Sequence, residues 1–460
     1  MNQIKKAFQP RGRRDRAEPP PPPPPPGLAA RAAAAAALAD ILANGHTLDE
    51  RFAADLAAGR QQAFDPRDRA LVRSIVTTSL RRLGTIRAAL AQFLEGGMPK
   101  KAGSLEHSLI VGAAQLLFLD VPDHAAVDLA VRAVRADPKA APFAALANGV
   151  LRNVARARDE LRDPADAFID TPPWLAARWK KNWGPDNAKA IALMNRCEPT
   201  LDVTVRGDAA GWAEKLGGIV LPTGSVRLIT RDPIPDLPGY ADGQWWVQDA
   251  AATIPARLLA VRSGERVVDL CAAPGGKAAQ MAAAGAVVTA LDRSAERLKR
   301  LAANFERLRL PVDISVGDAL TFDAPPFDAV LLDAPCTATG TIRRHPDVAW
   351  VKRVSDITSL GAVQAKMIDR ACAMLKPGGR LVYSTCSIEP EEGEAQIAAL
   401  LRRNPDMARV PVTADEIGGL ADCVSETGDV RILPCNMPND DPRLSGLDGF
   451  FASRLMRKVR

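Results

Sequence analysis

An alternation of strand-like and helix-like segments constrains the fold of this chain more than any other feature. From Ala250 onward, short runs rich in Val, Ile and Leu are separated by longer stretches with helical periodicity. The predicted strands are Val267–Leu270, Val287–Leu291, Asp313–Val316, Ala329–Leu332 and Leu381–Tyr383. The predicted helices are Lys277–Ala284, Ala295–Leu308, Ser359–Leu375 and Glu392–Arg402, the third ending at the turn Lys376-Pro377-Gly378-Gly379. This alternation predicts a doubly wound parallel sheet.

Two of the predicted strands are followed by a cysteine. The strand that ends at Leu332 continues as Asp333-Ala334-Pro335-Cys336, and the strand that ends at Tyr383 continues as Ser384-Thr385-Cys386-Ser387. Open α/β sheets bind ligands at the carboxyl ends of their parallel strands. We therefore expect both thiols, together with the carboxyl group of Asp333, at one ligand-binding edge.

A glycine-containing loop follows the first predicted strand and runs from Asp269 to Lys277, DLCAAPGGK. Its glycines let the backbone approach a ligand closely, and the helix after it offers free N–H groups. The loop matches neither GxGxxG nor the GK[ST] of a phosphate-binding loop. The next two strands lead to Asp292, where an acid can accept both ribose hydroxyls, and to Asp318, where one can accept an adenine amino group. Ordinary caps and turns explain each feature alone, but the set predicts a site for an adenosine ligand.

The lack of a phosphate loop favours S-adenosylmethionine as that ligand, and the thiols indicate what is methylated. C5 of cytosine is a poor nucleophile until a thiolate adds at C6 and turns the ring into an enamine. An acid that protonates or hydrogen-bonds N3 stabilises the adduct, and Asp333 can supply it. A base then takes the C5 proton and the thiol leaves.

The chain before residue 250 contains two further regions. From about Leu28 to Leu161 it is alanine-rich and predicts a bundle of five to seven helices, including Ala30–Leu42, Arg67–Leu80, Ile86–Phe93, Leu105–Leu117, His124–Val134 and Phe143–Arg156. The lone His107 and His124 are expected to be ordinary surface or core residues. Residues 165–245 predict a small α+β module, with strands Leu201–Val205, Gly218–Leu221 and Val226–Ile229, and a helix Ala209–Leu216. Residues 1–26, basic and then proline-rich over Pro19–Pro26, are expected to be disordered.

Aromatic and basic residues are interleaved at the start of the α+β module. Trp174, Trp179 and Trp183 lie close to Arg178, Lys180 and Lys181. Such a stretch can stack bases and pair with phosphates. It can equally form an amphipathic helix that covers a joint between domains, and the sequence leaves both interpretations open.

Charge and cysteine content narrow the class of protein. A net charge of +6 and a pI near 9.0 mildly favour a polyanionic partner. Seven cysteines without regular spacing argue against a disulfide framework and for a reducing cytosol. The sequence contains no CxxC pair with the spacing of a zinc site, so no metal is expected. No charge-free apolar run reaches about 18 residues, so neither a membrane span nor a membrane partner is expected. The N-terminus lacks the apolar core of a secretory signal, and we expect a cytoplasmic protein.

Four long motifs resemble the RsmB (Sun/Fmu) family of RNA 5-methylcytosine methyltransferases: DLCAAPGGK, DAPCTATGTIRRHPDVAW, YSTCSIEPEEGE and LDGFFASRL. The resemblance implies a NusB-like RNA-binding bundle over residues 27–162, a linker and RNA-positioning module over 163–247, and a Rossmann-like class I methyltransferase domain over 248–460. It implies Cys386 as the nucleophile and Cys336 as the thiol that helps release product. The implied cofactor-binding residues are Cys271, Ala272, Ala273, Pro274, Gly275, Gly276, Lys277, Asp292, Asp318 and Asp333.

The resemblance further implies an RNA substrate, most naturally small-subunit rRNA, and we expect a monomer. Arg297, one helical turn after Asp292, is expected to orient that carboxylate. The chain departs from the family in reading Asp202-Val-Thr-Val-Arg206 where an Arg-Val-Asn stretch is usual, which concerns RNA positioning. Cysteines outside the motifs are expected to be structural: Cys197, Cys372, Cys423 and Cys435.

Two other functions compete with this one. A DNA cytosine methyltransferase has its nucleophile in the Pro-Cys motif, which leaves Cys386 without a role. An RNA-binding factor with a vestigial enzyme domain needs neither thiol, and the intact thiol pair and cofactor loop argue against it.

Overall fold

A computed structural model describes residues 25–59, 64–230 and 232–459. The predicted tail, residues 1–26, lies outside the described residues except for Pro25 and Pro26. Among the described residues, no helix is both long and apolar enough to span a bilayer.

The N-terminal part is an all-α bundle. Its helices are α1 (Leu28–Asn44), α2 (Leu48–Ala57), α3 (Pro66–Arg81), α4 (Leu83–Ala91), α5 (Leu105–Phe118), α6 (Asp123–Ala136), α7 (Ala144–Arg156) and α8 (Arg158–Leu161). Helix α5 is apolar on most of its surface and forms the centre of the bundle, with α1, α3, α6 and α7 packed around it. The predicted all-α bundle is confirmed, with boundaries a few residues off and with eight helices among the described residues where five to seven were predicted. The separate helix α2, which begins at a capping box formed by Thr47 and Glu50, was not predicted.

The middle part consists of one long helix and a small sheet. Helix α9 (Pro173–Arg196) is kinked at Gly184, where φ is 79° and Pro185 follows. The module contains β1 (Leu201–Val205), α10 (Ala209–Leu216), β2 (Ile219–Val220), β3 (Val226–Leu228) and β4 (Trp245–Val247). The strands are antiparallel, in the order β2-β3-β1-β4. Strand β4 was not among the predicted strands.

The C-terminal part contains an eight-stranded sheet. Its strands are β5 (Arg266–Asp269), β6 (Val287–Asp292), β7 (Asp313–Val316), β8 (Phe327–Asp333), β9 (Leu375–Thr385), β10 (Met407–Arg409), β11 (Val430–Ile432) and β12 (Phe450–Arg457). The helices are α11 (Ile254–Leu258), α12 (Gly276–Ala283), α13 (Ala295–Leu308), α14 (Val348–Val351), α15 (Val354–Ala373) and α16 (Glu394–Arg403). The order is β10-β12-β9-β8-β5-β6-β7, with β11 also paired to β12.

The predicted parallel sheet is found for five strands, but the strands at one side of it are antiparallel. Strands β9-β8-β5-β6-β7 are parallel, but β12 runs antiparallel to β9, β10 and β11. The predicted turn at Lys376–Gly379 is also misplaced, because helix α15 ends at Ala373 and the turn lies inside β9, where the pairing with β8 is irregular. The sheet is therefore mixed, and its five parallel strands form the edge where ligands are expected.

Candidate active site

The two motif cysteines lie side by side. Strands β8 and β9 are parallel neighbours, and Asp333 is paired in register with Ser384, so the loops after both strands leave the same edge. The Sγ atoms of Cys336 and Cys386 are 3.5 Å apart. The Gly340 N–H donates to the carbonyl of Cys386 over 3.0 Å, which ties one loop to the other.

Asp333 is held between two partners next to the thiols. Its carboxylate accepts from the Ser384 hydroxyl over 3.0 Å and from the Lys277 ammonium over 2.7 Å. Burial alone would lower the pKa of Lys277, but Asp333, with smaller contributions from Asp269 and Cys386, raises it above its usual value. Lys277 is therefore held as a cation beside Asp333.

The surroundings distinguish the two thiols. The hydrogen bond with Cys386, burial, and the charges of Cys386 and Glu392 raise the pKa of Cys336 well above its usual value. The Cys336 thiol is thus kept neutral. Two cations, Lys277 and Arg344, lie near Cys386.

Glu392, a residue that the sequence prediction placed in a helix, fixes the loop that carries Cys336. Its buried carboxylate accepts from the Thr337 N–H over 3.0 Å and from the Gln364 amide over 3.0 Å. The Tyr383 hydroxyl donates to the Glu392 carbonyl over 2.6 Å. Glu392 lies in the same motif as Cys386, but nothing in the spacing shows that its side chain reaches across to the Thr337 loop.

The glycine loop lies against helix α13. Gly275 has a φ of 107°, and a Cβ there would lie 2.9 Å from Leu301, so the position requires glycine. Helix α12 begins at Gly276 and directs its free N–H groups toward the ligand edge. Cys271 is half-buried, and burial raises the pKa of its thiol, which keeps it neutral. The other loop residues complete the turn: Ala272, Ala273 and Pro274.

The carboxylate of Asp292 is fixed by the loop beside it. It accepts from the N–H groups of Ala273 over 3.2 Å and Ser294 over 2.9 Å, and Arg297 lies 3.4 Å from it while donating to the Ala273 carbonyl. Asp318 follows β7 and is partly exposed, with one oxygen accepting from the Leu320 N–H over 2.9 Å. The structure therefore brings the glycine loop and both carboxylates to neighbouring strand ends.

Asp269 is a buried acid that sequence reasoning did not include in the site. It ends β5, only 1% exposed, and burial raises its pKa to about 7 despite the charge of Lys277. Its position in the sequence was the available signal. Asp269 ends the first strand of the sheet as Asp292 ends the next, and Asp292 was selected for the site on that ground.

Ion pairs fix residues of the linker module and of the thiol loop, which is the segment 334–353 that connects β8 to α15 and includes α14. In the module, Arg227 donates to both oxygens of Asp202, over 2.7 and 2.8 Å, which gives the unusual Asp202 a structural partner. In the loop, Arg343 donates to Asp249 over 3.0 Å and Arg344 donates to Asp448 over 2.7 Å.

The aromatic and basic stretch of α9 lies mostly at a joint between domains. Trp179 is 1% exposed and packs with residues of the thiol loop and of α9 itself. Arg178 pairs with Glu389 and, over 2.7 Å, with Glu391, and Lys180 lies 4.1 Å from the centre of the Phe168 ring. For Trp179 and Arg178 the structure supports the joint interpretation over base stacking.

The remaining cysteines lie away from the thiol pair. Cys372 and Cys423 are buried, and Cys197 and Cys435 are half-buried. No group of three or more metal-ligating side chains is found in the described ranges.

Comparison with known proteins adds two family matches. The model of the family described as 16S rRNA methyltransferase RsmB/F matches residues 256–456, and that of the NusB family matches residues 28–156. A ribosomal RNA small subunit methyltransferase B from Yersinia enterocolitica is 36% identical over 442 residues, covering 92% of this chain and 97% of that protein. One of the same name from Xanthomonas campestris is 38% identical, covering 82% and 90%.

Two solved structures share the fold. A crystal structure of PH0851 has 23% identity and a TM-score of 0.69, covering 94% of this chain and 99% of that one. A methyltransferase homologue from Pyrococcus horikoshii has 27% identity and a TM-score of 0.53, covering 64% and 98%.

Proposed function

The chain belongs to the RsmB/F family of 16S rRNA methyltransferases, and from this premise we propose that it methylates C5 of a cytosine in small-subunit rRNA through a covalent bond to Cys386. The family resemblance, the NusB-like bundle, the methyltransferase fold and S-adenosylmethionine as cofactor are confirmed by these matches. The single observation that carries the finer proposal is the pair of thiols 3.5 Å apart, with Asp333 and Lys277 beside them.

The residues at the strand ends suit an adenosine ligand without phosphates. When bound, S-adenosylmethionine supplies the methyl group that C5 accepts. We assign the ribose to Asp292, oriented by Arg297, and the adenine amino group to Asp318. The loop from Cys271 to Lys277 and the carboxylate of Asp333 line the rest of this site. The fit rests on the closely packed glycine turn and the free N–H groups at the start of α12.

The side chains divide the covalent chemistry between them. The Cys386 thiolate, favoured by Lys277 and Arg344, forms a bond to C6 while N3 receives a proton or hydrogen bond through Asp333. After C5 is methylated, the N3 proton is returned and a base removes the C5 proton, so that the C6–S bond breaks and Cys386 leaves as a thiolate. Cys336, which lies against Cys386 and is neutral in the resting pair, assists this release.

Removing each thiol separately tests this assignment. Cys386→Ala should reduce methylation to background, because no bond to C6 can form. Cys336→Ala should still attack and methylate but release slowly, so that RNA accumulates on Cys386 as a slow band on denaturing gels. The double variant should lose the band, and Cys372→Ala, which removes a thiol of α15 outside both motifs, should behave like the unmodified enzyme. A band in Cys386→Ala and none in Cys336→Ala would instead assign the nucleophile to Cys336, as in the DNA-type alternative.

The RNA substrate is the second part of the proposal. The relatives are named for small-subunit rRNA, and the basic chain suits a polyanion. Incubation with labelled S-adenosylmethionine and either naked or assembled small-subunit rRNA, followed by mapping of 5-methylcytosine, identifies the target. Label recovered only at positions other than C5 of cytosine would contradict the proposal while leaving methyl transfer itself intact.

A further inference from the structure

A small cavity lies where the three parts of the chain meet. It is lined by Arg81 at the end of α3, by Trp179 and Asn195 of α9, and by Trp350 of the thiol loop, among others. Its volume is about 10 Å³, close to the space that a single water-sized species occupies. None of the lining residues belongs to the thiol pair or the cofactor loop, so the cavity is separate from the candidate active site.

Polar atoms around this cavity lack partners in the described part of the chain. The indole N–H of Trp179 and both amide atoms of Asn195 form no hydrogen bond, although Trp179 is 1% exposed and Asn195 is 7% exposed. The Nε atom of Arg81 is also shielded from solvent without a partner. Three of these four unpaired atoms are N–H donors, and buried donors are normally satisfied, so the cavity is suited mainly to a species that accepts hydrogen bonds.

The charges around the cavity do not balance. Arg82 and Arg196 share the single carboxylate of Asp170, at 3.1 and 3.2 Å, and that carboxylate also accepts from Thr85. Across the described residues, no carboxylate lies within 4.0 Å of Arg81, whose only hydrogen bond here is a donation to the Arg343 carbonyl over 3.2 Å. Arg343 itself is paired with Asp249.

Acids that lie farther away offset only part of this excess positive charge. Burial lowers the pKa of Arg81, while the charges of Glu198 and Cys197 raise it. Glu198 is exposed, and Asp163 acts in the same way on Arg82. Arg82 and Arg196 thus share one buried carboxylate, and the carboxylate that acts on Arg81 is the exposed Glu198. A buried charge without a close counterion is strongly disfavoured.

We propose that this cavity binds a small monatomic anion of the size of chloride. The small volume favours a monatomic anion over phosphate, sulfate or a carboxylate. A water molecule would satisfy donors without offsetting the guanidinium charge. The indole N–H of Trp179, the amide N–H of Asn195 and the Nε–H of Arg81 are the donors available to it. This site does not depend on the chemistry proposed for the thiols.

Such an anion would hold the N-terminal bundle against the catalytic part. Arg81 donates to the carbonyl of Arg343 in the thiol loop, and the Trp350 indole donates to the Leu80 carbonyl over 2.8 Å. The anion therefore lies beside two of the hydrogen bonds that join these parts, and its binding should stabilise their arrangement.

Diffraction from crystals of the full chain grown in bromide tests the site directly. We expect an anomalous peak in the cavity within hydrogen-bond distance of the Trp179 and Asn195 nitrogens, and loss of that peak when crystals are transferred to gluconate. A cavity that holds a water molecule, or nothing, without an anomalous signal overturns the proposal. This measurement uses the unmodified protein and does not require a variant to fold.

Thermal unfolding provides a test in solution. At constant ionic strength, replacing gluconate by chloride should raise the unfolding midpoint saturably, by about 1 °C if binding contributes on the order of 1 kcal/mol to a cooperative unit of this size. Arg81→Met should lose this chloride-specific increase, whereas Arg73→Met, which removes a solvent-exposed arginine from the same helix, should retain it. Equal increases in both variants, or none in the unmodified protein, contradict the proposal.

Discussion

The thiol edge of the sheet and the aromatic stretch of helix α9 were both selected from the sequence as sites of chemistry, and they differ in how the fold uses them. At the edge, Cys336 and Cys386 are 3.5 Å apart although fifty positions separate them in the chain. In α9, Trp179 is enclosed in a joint and Arg178 is neutralised by two glutamates. The topology of parallel strands brings loop residues together wherever the strands form, whereas the role of a helix residue depends on what packs against it.

The largest effect expected from this comparison is on stability. Trp179→Ala removes a fully buried indole from the joint and should lower the free energy of unfolding by about 3–5 kcal/mol. Trp174→Ala, one turn earlier and half-buried, should cost clearly less. Urea unfolding followed by circular dichroism measures both. If Trp179→Ala is as stable as the unmodified protein but binds RNA weakly, Trp179 is a base-stacking residue after all.

The cofactor edge offers the complementary test, in which the expected change is in ligand binding. Asp292→Ala removes the proposed ribose acceptor and should weaken S-adenosylmethionine binding by about 1.5–3 kcal/mol. Glu296→Ala, four residues later and solvent-exposed, should leave the affinity unchanged. Titration calorimetry decides between them, and an unaltered affinity in a folded Asp292→Ala protein would remove Asp292 from the site.

Sequence reasoning was most successful where local pattern and chain order suffice. The strand Asp313–Val316 and the helix Ala295–Leu308 were predicted with their observed bounds, because a run of apolar residues or a helical period defines each. From the order of these elements we expected Asp292, Asp318, Asp333 and both thiols at neighbouring strand ends, which is where they lie in the structure.

The features that the sequence did not predict share a physical cause. Each depends on a contact between residues that are far apart in the sequence. Strand β12 is antiparallel because it pairs with β9 some seventy residues earlier, and no local pattern specifies that partner. The hydrogen bonds of Glu392 with Thr337 and of Arg344 with Asp448 also join residues that are far apart, at 55 and 104 positions. The same holds for α9, whose partners Glu389 and Glu391 come from the loop after Cys386.

A pH experiment examines the acid that this reasoning omitted. Burial raises the pKa of Asp269 to about 7 in the folded protein, whereas an unfolded aspartate has its usual value near 4. Between about pH 4 and 7 the unfolded chain loses this proton first, so stability falls as the pH rises and stays lower above that window. Asp269→Asn should remove this loss and be more stable at pH 8 by roughly 1–3 kcal/mol.

The control for this prediction has the opposite sign. A hydrogen bond from Lys376 lowers the pKa of Asp328, so Asp328 contributes stability that is present above its unfolded pKa and is lost as the pH falls. Asp328→Asn should therefore lose some stability at neutral pH rather than gain it. Denaturant unfolding from pH 4 to pH 8 separates the two variants, and a profile for Asp269→Asn parallel to that of the unmodified protein would show that Asp269 is ionised in the fold.

The smallest expected effect concerns the face of α9 that the joint leaves in solvent. Lys181 is exposed, while Trp179 is buried two positions earlier. If this face contacts an RNA phosphate, Lys181→Ala should weaken RNA binding by about two- to five-fold for all sequences and reduce the slope of log affinity against log salt by about 1. Asn187→Ala, exposed and uncharged on the same helix, is the matched control. Since the loss of one phosphate contact must change the salt slope, an unchanged slope would restrict α9 to its role in the joint.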